Sequence, residues 1–395
     1  MRRWLLVAIV FWGCESGGGT TFDDDKKDGA VGGVDAGVVV DAGVVVDAGV
    51  VVDAGVVDAM NVDCASMPSS GPCAGAPAGQ ACGTGGECDG TGHCIFVLAD
   101  NQVPVGIAVD DTNVYWTGGG PTSNGYVRKC AIAGCGNAPT TIATGQVTPR
   151  AILVDAGQIF WGNVGINGFG TDGSVMSCPT SGCSPTPQVI VGTTQAYGIA
   201  VAGTTLYFSN PANSTVDACA RAGCGNSPTP LVTIMNAFDL VVTGSTLIWS
   251  ASPLGPDLVQ KCTIGACAPT TLATPANPGY LATDGVNVYW TEGIPFTGSV
   301  VSCAITGCNG SPTILASNQD IPMAITTDGT SVYWTTTPMG AGGAVLKCAV
   351  GGCNDCPTVL AAGGPRFFSP GAIAVDATSV YWADGQTGVV AKTAK

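Results

Sequence analysis

Seven copies of one short pattern constrain this chain more than anything else in it. Residues 106–116 read GIAVDDTNVYW, and the pattern returns as ILVDAGQIFW ending at Trp161, IAVAGTTLYF at Phe208, LVVTGSTLIW at Trp249, LATDGVNVYW at Trp290, ITTDGTSVYW at Trp334 and IAVDATSVYW at Trp382. The aromatic anchors stand 45, 47, 41, 41, 44 and 48 residues apart. A period of that size suits one four-stranded blade per copy and excludes most other repeat classes. The expected fold is all-β, a seven-bladed β-propeller over residues 95–395.

Each copy divides into four strands. Strand A is the apolar GIAVD segment, strand B the VYWT segment, strand C runs into a cysteine as in GYVRKC, and strand D is a short run such as TTIATG. Strand A is apolar at consecutive positions, which suits an inner strand packed on both faces. Asp110, Asp155, Asp284, Asp328 and Asp376 all stand six residues before the anchor, where an aspartate bonds the backbone of its own turn. Repeat seven ends after strand C, whereas FVLADNQ at residues 96–102 matches the strand D segment ILASNQD of repeat five. The N-terminal strand is therefore expected to complete blade seven and close the ring.

The 19 cysteines fall at regular spacings, which fits an oxidising compartment. Six pairs have four residues between them: Cys130/Cys135, Cys178/Cys183, Cys219/Cys224, Cys262/Cys267, Cys303/Cys308 and Cys348/Cys353. Each spans a C–D hairpin and reads as a disulfide. Metal binding needs four ligands, and pairs on separate blades cannot pool theirs.

Upstream of the ring the chain changes character. Residues 1–13 carry two arginines and an apolar run before Cys14, which resembles a bacterial lipoprotein signal with Cys14 acylated and holding the chain to a lipid bilayer. Glu15 after that cysteine implies the outer membrane by the same resemblance. Residues 14–63 hold the hexad VDAGVV and a net charge of −9, and read as a disordered tether. Residues 64–94 carry Cys64, Cys73, Cys82, Cys88 and Cys94 and form a disulfide-rich collar, because so short a segment cannot bury a core. Spacings of eight, eight, five and five residues match no zinc knuckle, although His93, the chain's one histidine, neighbours Cys94. The odd collar count leaves three alternatives for Cys356 on the C–D turn of blade six: a bond to a collar cysteine, a free thiol, or a bond to Cys353.

With these residues in view, IAVD and VYWT followed by a glycine-rich link resemble the YWTD and NHL-like propellers, and the added C-x4-C pairs resemble propellers of secreted bacterial lipoproteins. Two departures separate the chain from the YWTD group: seven blades rather than six, and Gly118 where an acid follows Trp116 and Thr117.

No basic patch for nucleic acid exists, since residues 95–395 hold nine bases and fifteen acids. The propeller contains no histidine, so neither a Ser-His-Asp nor a Cys-His arrangement can be built in it. A calcium-dependent hydrolase or lyase would have to use Asp239, Asp257, Asp384 and Glu292 on one face. Eleven residues before the anchors stand Val105, Arg150, Tyr197, Phe238, Gly279, Met323 and Gly371, with Asp239 and Tyr280 beside them. Arg150, Tyr197, Phe238, Asp239, Tyr280 and Met323 thus form a candidate binding mouth at the channel, aromatic with one cation and suited to a protein, peptide or glycan. The expected protein is a monomeric, cofactor-free binding module; a purely structural or adhesive envelope protein is the alternative.

Overall fold

The structure is a computed structural model that describes residues 72–395 apart from 84, 121–123, 167–171, 184–185, 193, 294, 339–341 and 364–368. The chain divides into two units, Met1–Met60 and Asn61–Lys395, and the described residues all belong to the second. The segments read as signal and tether, with Cys14 and Cys64, lie outside the described residues.

Seven antiparallel sheets make the ring, six of four strands and one of six. Blade one comprises Pro104–Val109, Asn113–Gly118, Gly125–Ala131 and Thr140–Gln146, ordered from the channel outward. The inner strand of blade seven, Pro370–Val375, packs against that of blade one, so the ring is closed. Among the described residues every regular element is a strand.

The aromatic pair of strand B explains how the blades hold together. Side chains alternate across a strand, so neighbours point to opposite faces. Trp116 packs into the seam between blades seven and one, and Tyr115 into the seam between blades one and two. The same division holds for Trp382 and Tyr381, and for Trp334 and Tyr333. Each seam is thus filled by the anchor of one blade and the preceding aromatic or aliphatic residue of the blade before it. All six anchor tryptophans are fully buried.

Ring closure uses strand Cys94–Ala99, which pairs antiparallel with Val389–Ala394 through Phe96 with Lys392 and Val97 with Ala391. It starts two residues earlier than the FVLADNQ match and stops sooner, because Asn101 turns with a φ of 55°. Two short collar strands, Ala81–Cys82 and Gly86–Cys88, extend the sheet of blade seven outward instead of leaving strand D at the edge.

All six hairpin disulfides are present, Cys130–Cys135, Cys178–Cys183, Cys219–Cys224, Cys262–Cys267, Cys303–Cys308 and Cys348–Cys353, with Cα separations of 4.9–5.5 Å. The first cysteine of each pair is buried on strand C, and the second is half-buried against a blade seam. The pairs span the C–D hairpins as expected, and the second cysteine's place on them varies. Cys135, Cys183, Cys224, Cys308 and Cys353 lie in the turn, before strand D begins at Thr140, Gln188, Thr229, Thr313 and Thr358. In blade one Lys129 already pairs with Thr140, so the disulfide closes the first bend of the connection rather than joining two strands. Blade four differs, because Thr263 pairs with Ala266 in a tight hairpin, and there Cys267 is on strand D, Ala266–Ala273. Gly134, Gly182, Gly223, Gly307 and Gly352, each just before the second cysteine, take φ between 102° and 132°, the left-handed turn that a bend this tight requires.

In the collar Cys73 bonds Cys88 and Cys82 bonds Cys94. Cys356 is also disulfide-bonded, which removes the free thiol. Every other described cysteine, Cys353 included, is paired elsewhere, so the partner of Cys356 lies outside the described residues.

The collar docks on blade six as well. The buried Asp89 carboxylate accepts the Ala362 N–H at 3.0 Å, and the Thr91 hydroxyl donates to the Ala362 carbonyl at 3.0 Å. His93 Nδ1 lies 2.9 Å from the same carboxylate. Burial alone would raise the Asp89 pKa; hydrogen bonds from His93, Ala362 and Thr91 outweigh it and hold the carboxyl well below the usual range.

Candidate functional site

The channel mouth is built on a β-bulge repeated around the ring. In blade one Pro104 pairs with Gly118 and Ile107 with Trp116, so two residues of strand A face one of strand B. Five further blades shift register at the same place. A bulge bends its strand and re-aims side chains. Here it brings consecutive residues, such as Phe238 and Asp239, to the mouth together. Proline opens strand A at Pro104, Pro149, Pro278, Pro322 and Pro370, a strand position that needs no ladder donor.

In four blades a hydroxyl one residue after the anchor ties its own strand A to the next blade. Thr117 accepts the Gly106 N–H at 3.0 Å and donates to the Arg150 carbonyl at 2.7 Å. Ser209 donates to the Phe238 carbonyl, Ser250 to that of Gly279 and Thr291 to that of Met323. The sequence reading missed these clasps, although the recurring serine or threonine after the anchor was the visible signal. It also missed a lysine stitch on the opposite face: Lys129 donates to the Thr180 carbonyl, Lys261 to that of Ile305 and Lys392 to that of Ile132, each on the following blade.

The mouth holds a cavity of about 150 Å³ lined by Arg150, Tyr197, Asp239 and Tyr280 on one side and by Gly106, Ala324 and Ala372 on another. Ten residues before the anchor, five blades have Gly or Ala, whereas blades four and five have Asp239 and Tyr280. The mouth is therefore asymmetric although its frame is repeated. Arg150 of blade two lines the cavity with Tyr280 of blade five, and its guanidinium lies 5.2 Å from the centre of the Tyr197 ring. Burial opposes its charge, but Tyr280, aided by Tyr197, outweighs burial and raises its pKa.

Phe238 does not line the cavity. Its ring stands between Tyr197 at 6.3 Å and Tyr280 at 5.0 Å, edge-on to the latter, and fixes both. Met323 lies outside the cavity wall too and enters the frame through its carbonyl. Asp239 accepts the Leu281 N–H at 2.9 Å, and its other oxygen lies where a side chain at Gly198 would collide with it. Burial pushes its pKa up to about 6, against the pull of the Leu281 and Leu240 N–H groups. The hairpin cysteines, Cys135, Cys183, Cys224, Cys267 and Cys308 among them, contribute nothing to the cavity wall, and their role is to hold the C–D turns.

The other acids serve their own loops. Asp110, Asp284, Asp328 and Asp376 each bind two backbone N–H groups of their A–B turn through Oδ1 and accept the hydroxyl of a tyrosine five residues on through Oδ2. Asp155, with Phe160 in place of that tyrosine, instead pairs with Arg221 of blade three. Asp257 accepts the Asn277 N–H, Asp384 accepts from Ser369, Gln386 and Thr387, and Glu292 accepts from Trp290 and Ser299. Asp239, Asp257, Asp384 and Glu292 are not brought together. Among the described residues the one group of three potential metal ligands within reach of each other is Cys73, Cys82 and Cys88, all in disulfides.

No family model matches the chain, and no curated protein matches it. Solved structures do. Virginiamycin B lyase from Staphylococcus aureus superposes with a TM-score of 0.58 at 15% identity, over 76% of this chain and 99% of that one. A streptogramin B lyase gives 0.53 at 14%, over 75% and 95%. The WD40 propeller domain of Doa1 gives 0.54 at 11%, over 76% and 95%. At such identities the likeness establishes the fold alone: the chain is a seven-bladed β-propeller stapled by hairpin disulfides. Those disulfides indicate an oxidising, extracytoplasmic compartment. No helix among the described residues is long and apolar enough to cross a membrane.

Proposed function

We propose that this protein is a non-catalytic binding module, tethered to a membrane by acylated Cys14, whose propeller holds a ligand at the channel mouth. The observation that carries the reading is the break in repetition at the mouth, where Arg150, Asp239 and Tyr280 converge on a cavity within an otherwise uniform ring. Convergent polar groups in a concave, partly aromatic site are what ligand recognition requires.

A lyase reading draws nothing from the residues. The staphylococcal lyase is catalytically inactive as a histidine-to-alanine variant, whereas the one histidine here is His93, engaged with Asp89 in the collar.

The test is a screen of the purified, oxidised chain against envelope-protein, peptide and glycan arrays, repeated with Arg150→Gln and Tyr280→Phe. Saturable binding weakened by both variants supports the reading. Binding indifferent to both, or turnover of a lyase or lactonase substrate, overturns it. Loss of detergent-phase partitioning in Cys14→Ser tests the anchor separately.

A further inference from the structure

Arg150 is the one cation among the residues lining the cavity, and among the described residues no salt bridge joins it to a carboxylate. The ring of Tyr197 lies 5.2 Å from its guanidinium, and Tyr280 beside it favours its charge. A guanidinium has five N–H donors in a fork matched to a carboxylate, so donors remain for a ligand. Asp239 lines the same cavity, where one of its oxygens accepts the Leu281 N–H and the other stands against Gly198. Opposite stand Gly106, Ala324 and Ala372, side chains too short to fill the space before the guanidinium.

The surroundings of the mouth narrow the ligand further. A cavity of about 150 Å³ falls below the ~300–1,000 Å³ of pockets that enclose a whole small molecule. It admits the end of a ligand, and the remainder must lie on the rim. That rim carries exposed apolar side chains beside its acids. Among the described residues, Val103, Ile166, Met235, Leu254 and Phe296 are exposed large hydrophobics in D–A or B–C loops, which surround the mouth, and Val286 is one in a turn of the opposite face. Leu254 is 71% and Phe296 68% exposed, in the B–C loops of the blades that carry Asp239 and Tyr280. Phe296 has a φ of 61°, which a bulky side chain adopts only under constraint. Its N–H donates to the Asp320 carboxylate at 2.9 Å, which ties the loop backbone at this residue.

Resting on the binding-module reading, we propose that the mouth captures the C-terminal carboxylate of an apolar peptide, with Arg150 forking onto the carboxylate and Leu254 and Phe296 receiving the preceding side chains. The charge matches the guanidinium, and the rim suits aliphatic or aromatic residues better than the hydroxyls of a sugar. An acidic sugar would offer the same carboxylate, so the experiment separates the two sources.

The full, oxidised chain is titrated with N-acetylated hexapeptides ending in leucine, valine or phenylalanine, each as free acid and as C-terminal amide, and with glucuronate. Free-acid peptides are expected to bind saturably. Amidation and Arg150→Gln are each expected to weaken binding on the order of 100-fold, the scale for removing one partner of a sheltered charge pair. Leu254→Ser combined with Phe296→Ser, both exposed and absent from the ring core, should weaken peptide binding without lowering the melting temperature. Equal binding of acid and amide, or an Arg150→Gln variant that melts like wild type and binds as well, overturns the proposal. If glucuronate binds through Arg150 and the peptides do not, this inference falls while the binding-module reading stands. If no ligand in the wider array screen depends on Arg150 or Tyr280, both fall.

Discussion

Shortening two side chains of the closing strand tests whether the N-terminal segment holds the ring together. Ile95 is fully buried in the seam of blades six and seven against Val380 and Trp382, and Leu98 is 3% exposed in the seam of blades seven and one with Trp116 and Val390. Replacing a buried Ile or Leu by Ala costs about 2–5 kcal/mol, the lost transfer energy plus the cavity left behind. Because the two residues sit in different seams, their effects should add, giving about 4–10 kcal/mol for Ile95→Ala with Leu98→Ala. Unfolding entropy of roughly 2 cal/mol/K per residue over roughly 320 residues converts this to a fall of about 6–15 °C in melting temperature. Val189→Ala, on the outer strand of blade two and 54% exposed, is the control and should change stability by less than about 0.5 kcal/mol. Calorimetry at one scan rate on all three proteins decides. A double variant melting within about 2 °C of wild type would mean that the strand rests on blade seven without closing it.

Asp89 uses both oxygens, Oδ1 on the Thr91 and His93 N–H groups and Oδ2 on that of Ala362, the tie to blade six. Asp89→Asn leaves one acceptor and sets an NH2 donor against these N–H groups, so residues 72–94 should show faster proteolysis and hydrogen exchange while the ring's melting is kept. In the wild type that tie needs an ionised Asp89, whose pKa is depressed; its stabilisation is complete above the unfolded carboxylate range, persists in mild acid and disappears only in strong acid as pH falls through the lowered value. Asp239 has the opposite sign, since its pKa is raised to about 6: its ionisation costs stability as pH rises from about 4 through about 6. Asp239→Asn should therefore melt above wild type at pH 8, with the gap closing below pH 4, and a gap independent of pH would refute the assignment. Non-reducing peptide mapping should join the Cys356 peptide to that of Cys64, the cysteine left once Cys14 is assigned to lipid; an alkylatable Cys356 in the native protein would contradict this.

The blades were legible because the repeat records two structural facts at once. Its length counts the strands, and its paired aromatics, as in Tyr115 and Trp116, fill one seam forward and one backward through simple strand alternation. The hairpin disulfides were legible for a similar reason, since a four-residue spacing with glycine before the second cysteine leaves little other geometry. The spacing did not distinguish the wide turn at Cys135 from the tight hairpin at Cys267, which share it. Collar pairing was not legible either, because spacing alone does not choose among connectivities. Nor was Asp155 separable from the other four turn aspartates until Phe160, lacking a hydroxyl, was seen to leave its carboxylate for Arg221.

The mouth is uneven where the repeat is even, and the bulge explains why. Nine residues before the anchor, every copy has Ile or Leu, and each of these packs into one of the seven seams. Two residues earlier the copies read Val, Arg, Tyr, Phe, Gly, Met and Gly. The bulge turns that position away from the seam, and the clasp reaches it through the backbone carbonyl, as at Arg150, Phe238, Gly279 and Met323. A carbonyl is present whatever the side chain, so ring stability places no demand on which residue stands there. That freedom lets one blade carry Arg150 and another Gly279 on the same frame. It also explains why residues at matching repeat positions differ in what they touch: Met323 and Phe238 stand outside the cavity wall, while Arg150, Tyr197, Asp239 and Tyr280 line it.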